Sequence, residues 1–419
     1  MNKKKIGIGV AIAGIATVGA LAFNMFGSSD EIKAENLMEG ISAEEVQVVD
    51  NLESYNEEVS GFAVRLFKES ADSDENTLIS PVSVMAALSM TANGAKEDTL
   101  EQMENVLGMS KQELNLYMYS YLNSLPQGDK YKLKLANSIW FRDEMSVKKE
   151  FLQTNANYYG AEIYKADFNN RTCKDINMWV NQNTDGVIPN IVDKISDNAV
   201  MYIINTLAFE AEWDSVYKES DIETGVFTKE DGTKQSAEFM YDTLFGFVCD
   251  EKAKGFVKKY KDDKYAFVAL LPNEGVTVSE YIKELEEDSI YNLLNNIQYD
   301  EVITAIPKFE TEYDVDMVDC FKKMGMKDAF DDRNANFKDL GTCDGNLNIY
   351  ISEIKHNTFI SVGEMGTKAG AATVVETNNG GNISSPKWKI CLDRPFVYMI
   401  VDMENNIPLF IGTMMDMEK

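Results

Sequence analysis

The sequence predicts an α+β fold built as one body. Three observations carry this: apolar residues recur at helical spacing early in the chain, short apolar runs gather late, and neither a regular βαβ alternation nor an internal repeat appears. In chain order, Val59, Phe62, Ala63, Leu66 and Phe67 share one helical face. Ser80 is then placed to cap a helix that opens with Pro81 and ends at Gly94. Leu100, Met103, Val106 and Leu107 form a further short helix stopped by Gly108. Residues 199–209 are almost continuously apolar, the pattern of a strand buried on both faces. Residues 265–271 and 301–309 read as strands, with the helix-periodic stretch 276–297 between them. Residues 358–362, 396–401 and 407–412 read as the closing strands.

Composition narrows the function. The 419 residues carry 69 Asp and Glu against 40 Lys and Arg, a formal charge of −29, which repels phosphate and argues against nucleic-acid binding. Hydrophobic content of 44% with 26% charged residues is globular and excludes a wholly disordered chain. The single histidine, His356, argues against a His-based zinc site and makes a Ser-His-Asp hydrolase improbable, since it would have to be the catalytic base. No metal, no cofactor and no enzymatic activity are expected, the last two on the family resemblance given below. Cys173, Cys249, Cys320, Cys343 and Cys391 form no CxxC motif and read as mostly buried apolar fillers.

Lys3, Lys4 and Lys5 precede an uncharged run from 6 to 23, and Ala20-Leu21-Ala22 offers a small-x-small cleavage pattern. Residues 1–29 are therefore expected to be a signal peptide or a membrane anchor, with 6–26 as the membrane-directed part. Both the secreted and the anchored form stay open, and the body is expected to be extracellular or at the cell surface. Residues 30–52 read as an acidic tether and 53–419 as the folded domain.

One segment is unusual. Residues 364–387 are small and polar, between strongly apolar neighbours; loops this long are usually functional or disordered, and on this segment alone a plain flexible hairpin loop stays open. Thr367, Ala369, Ala371 and Thr373 make a small, uncharged period-2 face. Lys368 lies on the other face with Gly370 and Ala372. This half suits a strand inserted into a sheet, whereas Thr377-Asn-Asn-Gly-Gly-Asn suits exposed bait for a protease.

The run Glu364-Met-Gly366-Thr367-Lys-Ala369-Gly-Ala371-Ala372-Thr373 closely resembles the hinge of the serpins, the serine protease inhibitor family. The resemblance extends from about residue 56 to 419. It rests also on residues 76–107, Leu135-Ala-Asn137-Ser-Ile-Trp-Phe141, Ile176-Asn177-Met-Trp179, Ile306-Pro307-Lys308-Phe309 and Asp393-Arg-Pro395-Phe396. It implies the serpin fold, with three β-sheets, about nine helices and an exposed reactive-centre loop at about 364–390. It implies a monomeric suicide inhibitor of serine proteases, whose cleaved loop inserts into the central sheet. The alternative is a non-inhibitory serpin acting as a binding or chaperone-like protein. The uncharged inward face of the hinge favours inhibition.

Carried onto this chain, the resemblance assigns Ser80, Ser83, Asn205 and His356 to the shutter where the central sheet parts, with His356 hydrogen-bonded to serine hydroxyls. It assigns Trp213 and Glu364 to the breach at the top of that sheet. Counting from Glu364 places the reactive bond at Gly380–Gly381, whereas counting back from Arg394 places it at Ser384–Ser385. No Arg, Lys or aromatic residue lies between Val374 and Ser385. Val375, Thr377, Gly380 and Ile383 suit an elastase-like protease, and Glu376 a glutamate-specific one.

Overall fold

A computed structural model describes residues 31–46, 53–125, 131–261, 263–345, 347–367 and 387–418. Nine α-helices occur among them: α1 (Glu53–Ser70), α2 (Pro81–Ala92), α3 (Glu97–Leu107), α4 (Lys111–Ser124), α5 (Lys149–Tyr159), α6 (Asn170–Asn183), α7 (Val278–Glu284), α8 (Ser289–Asn295) and α9 (Val318–Met324). The strands of the first half are β1 (Glu35–Asn36), β2 (Thr77–Ile79), β3 (Tyr131–Arg142), β4 (Met145–Val147), β5 (Glu162–Ala166), β6 (Met201–Glu212), β7 (Ile222–Thr228) and β8 (Lys234–Cys249). Those of the second half are β9 (Ala253–Lys259), β10 (Tyr265–Pro272), β11 (Gln298–Pro307), β12 (Phe309–Asp316), β13 (Gly341–Cys343), β14 (Glu353–Gly363), β15 (Gly366–Thr367), β16 (Trp388–Cys391), β17 (Phe396–Asp402) and β18 (Ile407–Met414).

These strands form three sheets. A seven-stranded sheet runs β1-β5-β3-β6-β15-β14-β12. A nine-stranded one follows the path β16-β11-β8-β9-β10-β17-β18-β2, with β7 beside β8, and β13 pairs with β4. The run read as a doubly buried strand is β6, which lies centrally in the seven-stranded sheet. Its apolar character follows from cover on both sides: Trp179 and Ile176 of α6 join its Tyr202 and Ile204 in one apolar cluster, while Ile203, Leu207 and Phe209 join the main core. Helix α2 is buried along its whole length, so it lacks a polar face.

Several expectations need correction. The helix-periodic stretch 276–297 is two short helices, α7 and α8. Ser80 occupies the N-cap position of α2, but its side chain makes no capping bond, and the helix ends at Ala92, short of Gly94. Gly108 does stop α3, in the left-handed conformation with φ 80°. The cysteines are all free, but only Cys173 is fully buried and Cys249 is exposed, so "mostly buried" does not hold.

The part of the tether within the described residues lies along the body. Glu35 and Asn36 pair with Lys165 and Tyr164 to extend the seven-stranded sheet. The amides of Lys33 and Ala34 donate to the buried carboxylate of Asp175, at 3.1 and 3.0 Å. Leu37, Met38 and Ile41 are the apolar residues that hold this acidic stretch against the core.

Candidate functional site

The central strands β6 and β14 are parallel neighbours over seven residue pairs, from Tyr202–Glu353 to Ala208–Phe359. Beyond them the two strands part, and β15 fills the gap. Gly366 and Thr367 pair antiparallel with Glu212 and Ala211 on one side and with Gly363 and Val362 on the other. The first two residues of the expected inserting strand are thus already seated in the sheet. Only glycine fits at 366: its φ is +153°, and a Cβ there would come within 2.0 Å of the Ala211 carbonyl oxygen.

Thr367 is fully buried, and its hydroxyl shares a hydrogen bond with that of Tyr260. Tyr260 stacks on Trp213, with ring centroids 4.4 Å apart. Trp213 ties itself to the turn before β15: its indole nitrogen donates to the Gly363 carbonyl at 2.8 Å and its amide to that of Met365 at 3.0 Å. Glu364 pairs with Lys308 at 3.0 Å, while its carbonyl accepts from the Tyr217 amide. The Glu364 carboxyl is held below the usual range by its own backbone amide and by Lys308. Burial opposes the charge on Lys308, but Glu364 and Glu238 outweigh it and raise its pKa.

Two residues here escaped the sequence reading. Lys308 was visible only as part of a motif. Lys258 carried no signal, yet its ammonium is buried 4.2 Å from the centre of the Tyr217 ring, paired with Asp242 at 2.9 Å. Burial pulls its pKa down, against the pull of Asp242. The alternation of β9 should place Lys258 opposite Val257, but no pattern indicates that its face is enclosed by aromatic rings.

The second cluster lies lower in the sheet. His356 of β14 and Asn205 of β6 are register partners, and His356 Nδ1 meets Asn205 Oδ1 at 2.5 Å. The backbone amide of Ser80 donates to His356 Nε2 at 3.1 Å. Since Nε2 accepts, the proton sits on Nδ1 and the ring is neutral. Asn205 donates in turn to Ser83 Oγ and Asn137 Oδ1. Ser80, Ser83, Asn205 and His356 are therefore brought together, but through an amide and an asparagine; among the described residues His356 bonds to no serine hydroxyl. The Ser80 hydroxyl is buried with no hydrogen-bond partner among the described residues. Desolvation pushes the His356 pKa down to about 3.

Ala369, Ala371, Ala372 and Thr373 of the hinge, and the bonds Gly380–Gly381 and Ser384–Ser385, lie outside the described residues.

A sheet split at the top by a two-residue strand fits the family expectation, and the comparisons decide it. The family model for the serpins, serine protease inhibitors, matches residues 57–417. The chain is a serpin. A serpin-like protein of Thermococcus kodakarensis is 30% identical over 366 residues, covering 85% of this chain and 84% of that one. Leukocyte elastase inhibitor A of Mus musculus is 27% identical, covering 84% and 96%. Among solved structures, the thermophilic serpin tengpin in its native state is 44% identical with a TM-score of 0.87, covering 91% of this chain and 99% of that one. Its latent state gives a TM-score of 0.78 at 41% identity, covering 89% and 100%. The serpin described here thus resembles the native form of that relative more than the latent one.

Proposed function

We propose that this serpin is a single-use trap for serine proteases, preferring elastase-like enzymes. The observation that carries the proposal is the seating of Gly366 and Thr367 between β6 and β14, with small residues following at 369, 371 and 373. The register fixes what further insertion entails. With Thr367 opposite Ala211 and Val362, a strand continuing downward brings Thr373 between Asn205 and His356. Their hydrogen bond must then break, and a threonine enters between them. No charge enters the sheet on the Thr367 face.

The chemistry belongs to the protease. Its serine oxygen attacks the carbonyl carbon at the bait bond, the serine proton passes through the protease's histidine to the leaving amine, and the C–N bond breaks. An ester then joins the protease to the hinge side, while the new amino terminus stays attached to β16. Insertion of 15–17 residues at roughly 3.3 Å each moves that ester about 50–55 Å. That is about the diameter of a domain of this size. With no slack left, the serine is pulled from its base and oxyanion donors, and deacylation stalls.

The bait residues Val375, Thr377, Gly380 and Ile383 support the elastase-like preference, in keeping with the similarity to an elastase inhibitor. The basic, then apolar N-terminal segment supports an exported protein, secreted or membrane-anchored. The test is incubation of residues 31–419 with a panel of serine proteases, read by denaturing gel and mass spectrometry. A detergent-resistant adduct with an elastase-like enzyme is the expected result. Reversible inhibition without a covalent band would overturn the trap.

A further inference from the structure

We propose that an exposed aromatic ridge on β8 and β11 is a second contact surface for the target protease, engaging the protease body while the loop occupies its cleft. The inference rests on the inhibitory reading. It begins with a β-bulge. Gln298 pairs with Phe247 and Glu301 with Phe245, so Tyr299 and Asp300 together oppose Gly246 alone. Bulges re-aim side chains, and here two residues acquire separate tasks.

Asp300 turns toward the start of β16, where it accepts from Lys387 Nζ at 2.9 Å and from the Trp388 indole nitrogen at 3.2 Å. Trp388 stacks on Phe247 with centroids 4.3 Å apart, and β16 continues in parallel pairing along β11. The chain that follows the bait is therefore fastened beside the bulge. Tyr299 faces water instead and is 80% exposed. Phe245, the partner of Glu301, is 66% exposed, and Tyr241 stands on the same face of β8. Single exposed apolar residues are ordinary on a protein surface. Here three aromatic ones share two adjacent strands, and nothing among the described residues covers them.

Chain length supplies the occupant. Ser384 is four residues from Trp388 and Gly380 eight. At roughly 3.3 Å per residue, either bond lies within about 13 or 26 Å of Trp388. A protease domain of ordinary size has a radius of about 22 Å. An enzyme bound at either bond must overhang β16 and the strands next to it. The rim specifies its chemistry. Glu301 lies beside Phe245, and Glu223 and Asp393 stand close to Tyr241. Lys387 is already engaged by Asp300, leaving Lys389 as the cation of β16. The fitting partner presents an apolar patch bordered by Lys or Arg beside its cleft, since such side chains stack on Tyr and pair with Glu.

The experiment compares wild type with Tyr299→Ala/Phe245→Ala in the second-order rate of inactivation of the protease that forms the adduct. Stoichiometry is measured in the same samples. The double variant should inactivate about tenfold more slowly at unchanged stoichiometry, because the loop and its insertion are untouched. Leu347→Ala, another exposed apolar residue, should match wild type. Equal rates for the double variant and wild type would overturn the ridge while leaving the trap intact. A wild type that forms no detergent-resistant adduct with any protease would overturn both.

Discussion

His356 shows how one residue couples folding to pH. It is neutral in the fold, with its pKa pushed down to about 3 by burial. In the unfolded chain a histidine titrates near 6.5. As pH falls below about 6.5 the unfolded chain binds a proton that the native state refuses, so stability is complete above that pH and is lost progressively toward pH 3. The slope is about 1.4 kcal/mol per pH unit. Urea unfolding of wild type and His356→Gln between pH 4.5 and 8 checks this. The two curves should run parallel above pH 7 and converge below pH 6, because glutamine lacks the titration; parallel curves throughout would refute it. The residue was legible as a shutter histidine from the family pattern. Ser80 and Asn205 were named beside it, but the bonds were not legible: a backbone amide leaves no mark on sequence, and no pattern assigns the Asn205 carbonyl oxygen, rather than a serine hydroxyl, to Nδ1.

At the scale of elements, the two-residue strand β15 governs the site. Gly366→Ala would place a Cβ against the Ala211 carbonyl, with Glu212 Cα at 2.8 Å, at a φ that L-residues avoid. The variant should release β15 from the top of the sheet and unstack Trp213 from its ties to Gly363 and Met365. Tryptophan fluorescence should shift toward that of a solvated indole, and an unchanged spectrum would mean that β15 tolerates the methyl. Thr367→Arg acts on the same strand by charge. The Thr367 site is sealed by Tyr260, so an unpaired guanidinium is excluded at a cost of several kcal/mol. Each 1.4 kcal/mol in the insertion step slows it about tenfold. Deacylation then wins, and the number of inhibitor molecules consumed per protease should rise steeply. Lys368→Arg, on the opposite period-2 face, should leave that number near wild type; equal values would refute the register. The strands β6, β10, β17 and β18 were legible because apolar runs buried on both faces carry their own signature. Strands β3, β7, β8 and β9 gave no comparable run: β8 and β9 mix exposed and buried positions along their lengths. Thr367 was legible as the start of a strand-forming face, but the seat of β15 was not, because that place depends on a gap between strands distant in sequence.

The whole molecule is arranged so that its central sheet is incomplete. Strands β6 and β14 pair along seven residues and diverge where β15 enters, so the sheet holds a parallel interface that a full antiparallel strand would replace. An inserted strand from Thr367 to Thr377 would reach from Ala211 to Met201 in the observed register. It would make two ladders, one to each neighbour, in place of the single β6–β14 ladder that now closes the sheet below β15. Antiparallel pairing on both sides is also somewhat stronger per residue than the parallel pairing it displaces. Its small face would add burial at about 25 cal/mol per Å². The cost is the His356–Asn205 hydrogen bond, about 1 kcal/mol net, together with the seven parallel pairs. On the trap reading the balance favours the inserted form, and what opposes insertion before the cut is the anchoring at both ends, by β15 at the top of the sheet and by Asp300 at the start of β16. Cutting the bait near residue 380 frees one end. The cut protein should therefore unfold at a clearly higher temperature than the intact one, measured at matched pH and protein concentration. Equal midpoints would mean that the cut loop stays out of the sheet, and the trap would then lack its driving force.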